Sequence, residues 1–237
     1  MRKIYGAVGI FLSVAMGATS IHAQANRVNP SIPFTGGDAT HISPPYEPAL
    51  PPDSVAMPPV ERARYTLNAY ATCLLHMNRK KVEAALALPV GTRESDAAER
   101  TLSVDECLGN GELKMDGTLL RGALYRALYR TDFWRTAPAL SPQAIDYAAD
   151  MGPGLDSSQY VALHQYGECI VRADPADARS VLMSATASST EHDALLRLSP
   201  TFSTCLAKGS QVKFSKSTLL GLLAEVMVRL ANGGRQG

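Results

Sequence analysis

The sequence has few of the residues and spacings that make a function legible. In 237 residues there are one tryptophan, four cysteines and only 6% aromatic side chains. There is no Cys-x-x-Cys pair, no His-Glu-x-x-His helix, no glycine loop that cradles phosphate and no glycine-flanked nucleophile. Thiol redox chemistry, zinc hydrolysis, nucleotide binding and serine hydrolysis each need one of those spacings. Charge of one sign is also missing: 23 Lys and Arg face 22 Asp and Glu. That balance excludes bulk electrostatic attraction to nucleic acid or to an anionic membrane surface. Beyond the first twenty residues no apolar run approaches the ~18 to 20 residues that a membrane-spanning helix requires.

What is present begins with a pattern of export. Arg2 and Lys3 precede a largely apolar run from Ile4 to Ala18, and Ala23-Gln24-Ala25 follows. A charged start, a short apolar stretch and small residues are the marks of a secretory signal. The expectation is a signal over residues 1–25, cut after Ala25 or Ala23, with no stable membrane insertion afterwards. Residues 26–57 differ in kind, with Pro30, Pro33, Pro44, Pro45, Pro48, Pro51 and Pro52 and almost no apolar periodicity. Proline fixes φ and removes a donor, so this leader is expected to be extended or disordered, a spacer or a polyproline ligand.

The rest of the chain reads as one module written twice, residues 58–132 and 158–232, with a connector at 133–157 and a short tail at 233–237. Leu67, Tyr70 and Cys73 recur at a constant offset as Leu163, Tyr166 and Cys169. Glu94, Asp96, Ala97 and Arg100 recur as Glu191, Asp193, Ala194 and Arg197, and Cys107 as Cys205. Leu120, Gly122, Leu124 and Arg130 face Leu219, Gly221, Leu223 and Arg229. Two copies make a pseudo-dimer, not a solenoid. The expected fold class is all-α: two tandem disulfide-stapled helical modules related by a pseudo-two-fold axis, with minimal β-stubs.

Helical punctuation supports that class. After Pro58-Pro59, the residues Ala63, Leu67, Tyr70, Leu74 and Met77 make the stripe of an amphipathic helix. Asn78 and Asp174 are placed to cap second helices, and Ser188 with Glu191 has capping-box spacing before a third. Ser199-Pro200 is expected to start a short fourth helix carrying Cys205, with Gly109 or Gly209 as the stop in each copy. Asp116 and Ser215 cap the last helix of each copy. In the connector, Ser141-Pro142 opens a helix that Gly152-Pro153-Gly154 closes. The stubs Leu113–Met115 and Val212–Phe214 are expected to pair as a two-stranded antiparallel ladder.

Four cysteines in an exported chain read as two disulfides. Of three connectivities, Cys73–Cys107 with Cys169–Cys205 is the one in which a duplicated module duplicates its own bridge. Each would close a loop of about 35 residues, stabilising by roughly 3.5 to 4 kcal/mol in the chain-entropy account.

Chemical candidates are thin. His164 and Glu168 stand one helical turn apart, yet the first copy has Asn68 and Thr72 there and no third group is evident. His41, His76 and His192 are scattered, so no metal and no cofactor is expected. Ser157-Ser158 and Ser188-Ser189 sit at expected helix starts and are read as caps in preference to nucleophiles. The last helices of the copies differ most. Arg121, Tyr125 and Tyr129 occupy the positions of Leu220, Ala224 and Val228, on one face, with Arg126 beside them. Tyr and Arg on one stripe suit a recognition surface; packing against the connector and its Trp134 is the competing account of the same residues.

The module, above all Leu119-Leu120-Arg121-Gly122-Ala123-Leu124-Tyr125-Arg126-Ala127-Leu128-Tyr129-Arg130 with Cys107 upstream, resembles a family of uncharacterised exported bacterial proteins, over roughly Arg62 to Leu230. The resemblance implies no activity and transfers no catalytic residue. The expectation is a periplasmic or secreted, non-catalytic protein that binds an unknown protein or small molecule and no nucleic acid. A hydrolase with an unrecognised site and a structural protein of the cell envelope are the alternatives.

Overall fold

Two proline-marked boundaries and four well-formed caps set most of the helix ends in the computed structural model, which describes residues 56–103, 105–108, 115, 117–153, 157–206 and 208–233. The expected signal, most of the leader, Gly109, Leu113, Lys114 and Asp116 lie outside the described residues. The helices are α1 (Pro59–Leu86), α2 (Arg93–Thr101), α3 (Asp105–Leu108), α4 (Gly117–Asp132), α5 (Ser158–Ala173), α6 (Pro175–Met183), α7 (Ser189–Cys205) and α8 (Lys216–Ala231). The fold is all-helical, and no strand occurs among the described residues. Their β pairing is one isolated parallel bridge between Val90 and Met151. No described helix is long and apolar enough to cross a membrane.

Ala63, Leu67, Tyr70 and Leu74 of α1 are buried as their stripe requires, whereas Met77 is 56% exposed. Residues 76–81 are exposed around a bend at Asn78, with φ −153° and ψ 67°, and burial resumes at Val82. The Asn78 side chain accepts from the Lys81 amide at 3.2 Å, which is the expected cap realised inside a continuous element. Asp174, with φ −144° and ψ 75°, accepts from the Asp177 amide at 3.0 Å and separates α5 from α6. Ser215 caps α8 by accepting from the Thr218 amide at 3.1 Å. Ser188 accepts from the Glu191 amide at 3.1 Å, but the reciprocal half of the box is not made. Glu191 turns to the Ala187 amide and to Arg64 instead.

Three expectations fail. Ser199-Pro200 starts no new helix, since α7 runs through Pro200. A proline there strips the Leu196 carbonyl of its usual amide partner, and the Ser199 hydroxyl donates to that carbonyl at 2.8 Å in its place. The connector has no helix after Ser141-Pro142, only a 3₁₀ turn at Ala148–Asp150. Its backbone is spent on tertiary bonds: the Ser141 amide donates to the Leu230 carbonyl at the end of α8, and Arg172 donates to the Ser141 and Gln143 carbonyls. Val212–Phe214 forms no strand among the described residues. Phe214 stacks on Tyr166, with ring centroids 5.8 Å apart.

Both disulfides pair as expected. Cys73–Cys107 ties α1 to α3 with a Cα separation of 5.6 Å, and Cys169–Cys205 ties α5 to α7 with 5.7 Å. At the centre, α4 packs along α8, with α1 against α4, α5 against α8 and α6 against α7. A single continuous apolar cluster runs through all of them. The two central helices cross where Gly122 meets Gly221. A Cβ on either glycine would come within 2.7 Å of the other's Cα, so only glycine permits this approach.

Candidate binding groove

The residues singled out on α4 are not at the surface. Every position from Leu120 to Arg130 is buried, Tyr129 at 0% exposure and Arg126 at 2%. A recognition stripe there is overturned by the packing of α8 and α6 over the helix. The polar tips found partners inside the chain. Arg121 donates to the Leu86 carbonyl at 2.8 Å, at the open end of α1, and the Tyr125 hydroxyl lies beside both. Arg130 donates to the Leu182, Met183 and Ser184 carbonyls, which close α6. Arg126 donates to the Thr186 hydroxyl at 3.1 Å and the Ser184 carbonyl at 2.7 Å. Buried arginines thus serve as C-caps for neighbouring helices, satisfying carbonyls that a helix end leaves open.

Two buried ion clusters flank the central crossing. In one, Arg64 forms a two-pronged pair with Glu191 and also holds Glu61, which Lys216 reaches from outside. Burial works to raise the Glu61 carboxyl, but Lys216 and Arg64 outweigh it and hold it below the ordinary range. In the other, Glu225 of α8 faces His164 Nε2 at 3.4 Å, with Arg121 and Arg229 each at 3.8 Å. Arg229 is paired in turn with Asp150 of the connector. Burial acts to raise Glu225, yet His164 and the two guanidiniums prevail and hold its carboxyl low. Burial, with Glu225 close by, pushes the Tyr125 phenol up to about 12. His164 and Glu168, one helical turn apart, do not pair: Glu168 accepts from Arg172 Nε at 2.7 Å, and His164 Nδ1 lies 2.9 Å from the Tyr160 carbonyl.

Arg64 and Glu191 in one cluster and Glu225, His164 and Arg121 in the other are buried, and among the described residues no three His, Cys, Asp or Glu side chains are grouped to hold a metal. An open space exists elsewhere. Between the connector and helices α5, α6 and α8 lies a groove of about 630 Å³. It is lined by Pro138 and Leu140 of the connector, Arg172 of α5, Pro175 and Arg179 of α6 and Met227 of α8. Such a volume and such an apolar lining fall in the range of small-molecule sites.

Tyr129 belongs to this groove at one remove. Its ring is fully buried, and its hydroxyl accepts from Arg179 Nη1 at 3.3 Å while Nη2 donates to the Trp134 carbonyl at 3.2 Å. The α4 stripe therefore supplies a support for the groove and not its lining. The lining residues Arg172, Arg179 and Met227 carry no signal in the sequence. They come from three helices and are brought together by a connector whose path no periodicity encodes. Comparison of the chain with protein-family models, with curated proteins and with solved structures found no match.

Proposed function

We propose that this chain is an exported, non-catalytic binding protein of the periplasm or cell exterior that holds a small molecule between its connector and its second helical half. The observation that carries the reading is the groove of about 630 Å³ with its apolar walls and two arginines. Export is supported by the signal-like pattern of residues 1–25 and by two disulfides, which persist in oxidising compartments. The two halves are read as copies of one module about a pseudo-two-fold axis. Support for that comes from bridges of nearly equal span, 34 and 36 residues, and from the matched backbone at Asn78 and Asp174. The Gly122–Gly221 crossing marks where the axis would pass.

The test is native mass spectrometry on protein recovered from the exporting cell. Wild type should carry a stoichiometric added mass below about the size of a small lipid. Ala176→Trp, on an exposed position of the groove wall, should lose it while keeping its melting temperature. Equal added mass on both proteins, or none on either after incubation with an envelope extract, would overturn the reading. N-terminal sequencing of the same sample should begin at Asn26 or Gln24.

A further inference from the structure

The groove's two arginines differ in what they face. Arg172 is committed: Nε donates to the Glu168 carboxylate, and its two other nitrogens donate to the Ser141 and Gln143 carbonyls, so its charge is balanced and its fork is occupied. Arg179 makes two hydrogen bonds, both to neutral acceptors, the Tyr129 hydroxyl and the Trp134 carbonyl. Among the described residues no carboxylate pairs with it. The acids near it along the chain are taken: both oxygens of Asp132 are held by Arg79, Asp177 by Arg197, and the Asp174 side chain by the Asp177 amide. No acidic side chain is among the described residues that line the groove. The guanidinium is also held in place, because Tyr129, which accepts one of its bonds, is packed at 0% exposure.

A cation fixed on the lining of an apolar trough, with hydrogen-bonding capacity left and no counter-charge among the described residues, is complementary to one kind of ligand. Arginine's planar fork keeps its charge at every physiological pH and binds oxyanions by charge-assisted hydrogen bonds. The trough offers alkyl surface on Pro138, Leu140, Pro175 and Met227 and no other charge in want of a partner. We infer that the groove binds an amphiphilic anion, an alkyl chain ending in an oxyanion, with Arg179 holding the head and the connector wall covering the chain. The inference rests on the binding reading above and names its ligand class. Arg179 is the specificity-determining residue, and Tyr129 is its positioning residue.

The probes are decanoate, decyl phosphate, 1-decanol and acetate, titrated calorimetrically into the full mature protein below micellar concentration. Decanoate or decyl phosphate should bind at least tenfold tighter than decanol, and whichever is tighter identifies the head as carboxylate or phosphate. Acetate should not bind, because it offers no chain to the trough. Arg179→Gln should weaken the anions to the level of decanol and leave decanol unchanged, while Arg179→Lys, which keeps the charge, should retain most of the preference. Because Arg179→Gln also loses bonds to Tyr129 and Trp134, the wild-type preference is measured against salt as a check that needs no variant. It should shrink as ionic strength rises. Decanol binding as tightly as decanoate, or a preference unchanged in Arg179→Gln and in salt, overturns the anion assignment and leaves the groove as an apolar site. Failure of all three chains to bind overturns the ligand class. The binding reading itself would then still be decided by the added mass on the native protein and its loss in Ala176→Trp.

Discussion

Helices α4 and α8 are both sixteen residues long, both buried over an unbroken central stretch, and in contact through a pair of glycines, yet they are built on opposite plans. Between Leu220 and Leu230, α8 is aliphatic apart from Gly221, Glu225 and Arg229. Over the matching stretch α4 carries three arginines and two tyrosines. Taking a guanidinium out of water is costly unless its donors are met. Here each arginine of α4 reaches across to a helix end or a loop, at Leu86, at Thr186 and Ser184, or at Leu182 and its neighbours. The aliphatic helix fills space, and the basic helix closes the open ends of the helices around it. A core helix can therefore be polar without being a binding surface, provided that its neighbours present carbonyls where its cations end.

The largest expected effect concerns the one carboxylate that α8 contributes. Glu225→Ala takes from Arg121, His164 and Arg229 the buried negative charge they share, although Arg229 keeps Asp150. It should cost about 3 to 5 kcal/mol in chemical denaturation, the usual penalty for orphaning buried charge. Arg121→Met should cost less, since it removes a charge instead of stranding one. If Arg121→Met proves the costlier change, the helix-closing role given to the α4 arginines outweighs the ionic one.

Next come the bridges, which test whether the two halves are equally dependent on their staples. Replacing both cysteines of either pair by alanine should cost roughly 3 to 4 kcal/mol, and the two losses should agree within about half a kcal/mol because the loops are nearly equal. A difference above about 1.5 kcal/mol would mean that α7, which is continuous, holds the second half without its disulfide, whereas α2 and α3, which are broken, cannot hold the first.

Glycine substitution is a sharper probe of the crossing. Gly122→Ala sets a methyl 2.7 Å from the Gly221 backbone, which can move only if the helices part, and should destabilise by about 2 to 3 kcal/mol. Gly167→Ala meets the Leu222 side chain, which can turn aside, and should cost about 1 kcal/mol or less. Equal costs in thermal melts would show that α4 and α8 slide apart readily.

The smallest effect appears only in acid. Glu225 and Glu61 are held below the ordinary carboxyl range in the folded chain, so their contribution is fully present above about pH 4.5 and is lost as pH falls through the lowered folded values. Melting temperature should drop on that side, and the drop should be shallower in Glu225→Gln, which no longer titrates there. Identical slopes in the two proteins would place the acid sensitivity in the Arg64 cluster instead.

Much of this was legible in the sequence. The proline at the start of α1, the caps at Asn78, Asp174, Ser188 and Ser215, and the all-round apolar character of α8 follow from local sterics, hydrogen bonding and periodicity, which act over a few residues. The cysteine pairing followed from their matched order. By contrast, the fate of Arg121, Tyr125, Arg126 and Tyr129 was not legible, because a Tyr and Arg stripe reads the same whether water or a neighbouring helix end receives its polar tips. Pro200 misled for a related reason. Its carbonyl partner was rescued by an adjacent serine, a local bond that the general rule for proline does not anticipate.

The sequence by itself determined the helical class, most helix starts and the aliphatic stripe of α8, since each depends on interactions between near neighbours. Only the tertiary structure decided which face of α4 met which helix end, that the connector spent its backbone on α8 and Arg172 instead of on a helix of its own, and that Arg179 stands beside an apolar trough with no carboxylate partner among the described residues. Those outcomes depend on which distant groups meet, and a single chain's pattern of apolar and polar positions does not record its partners.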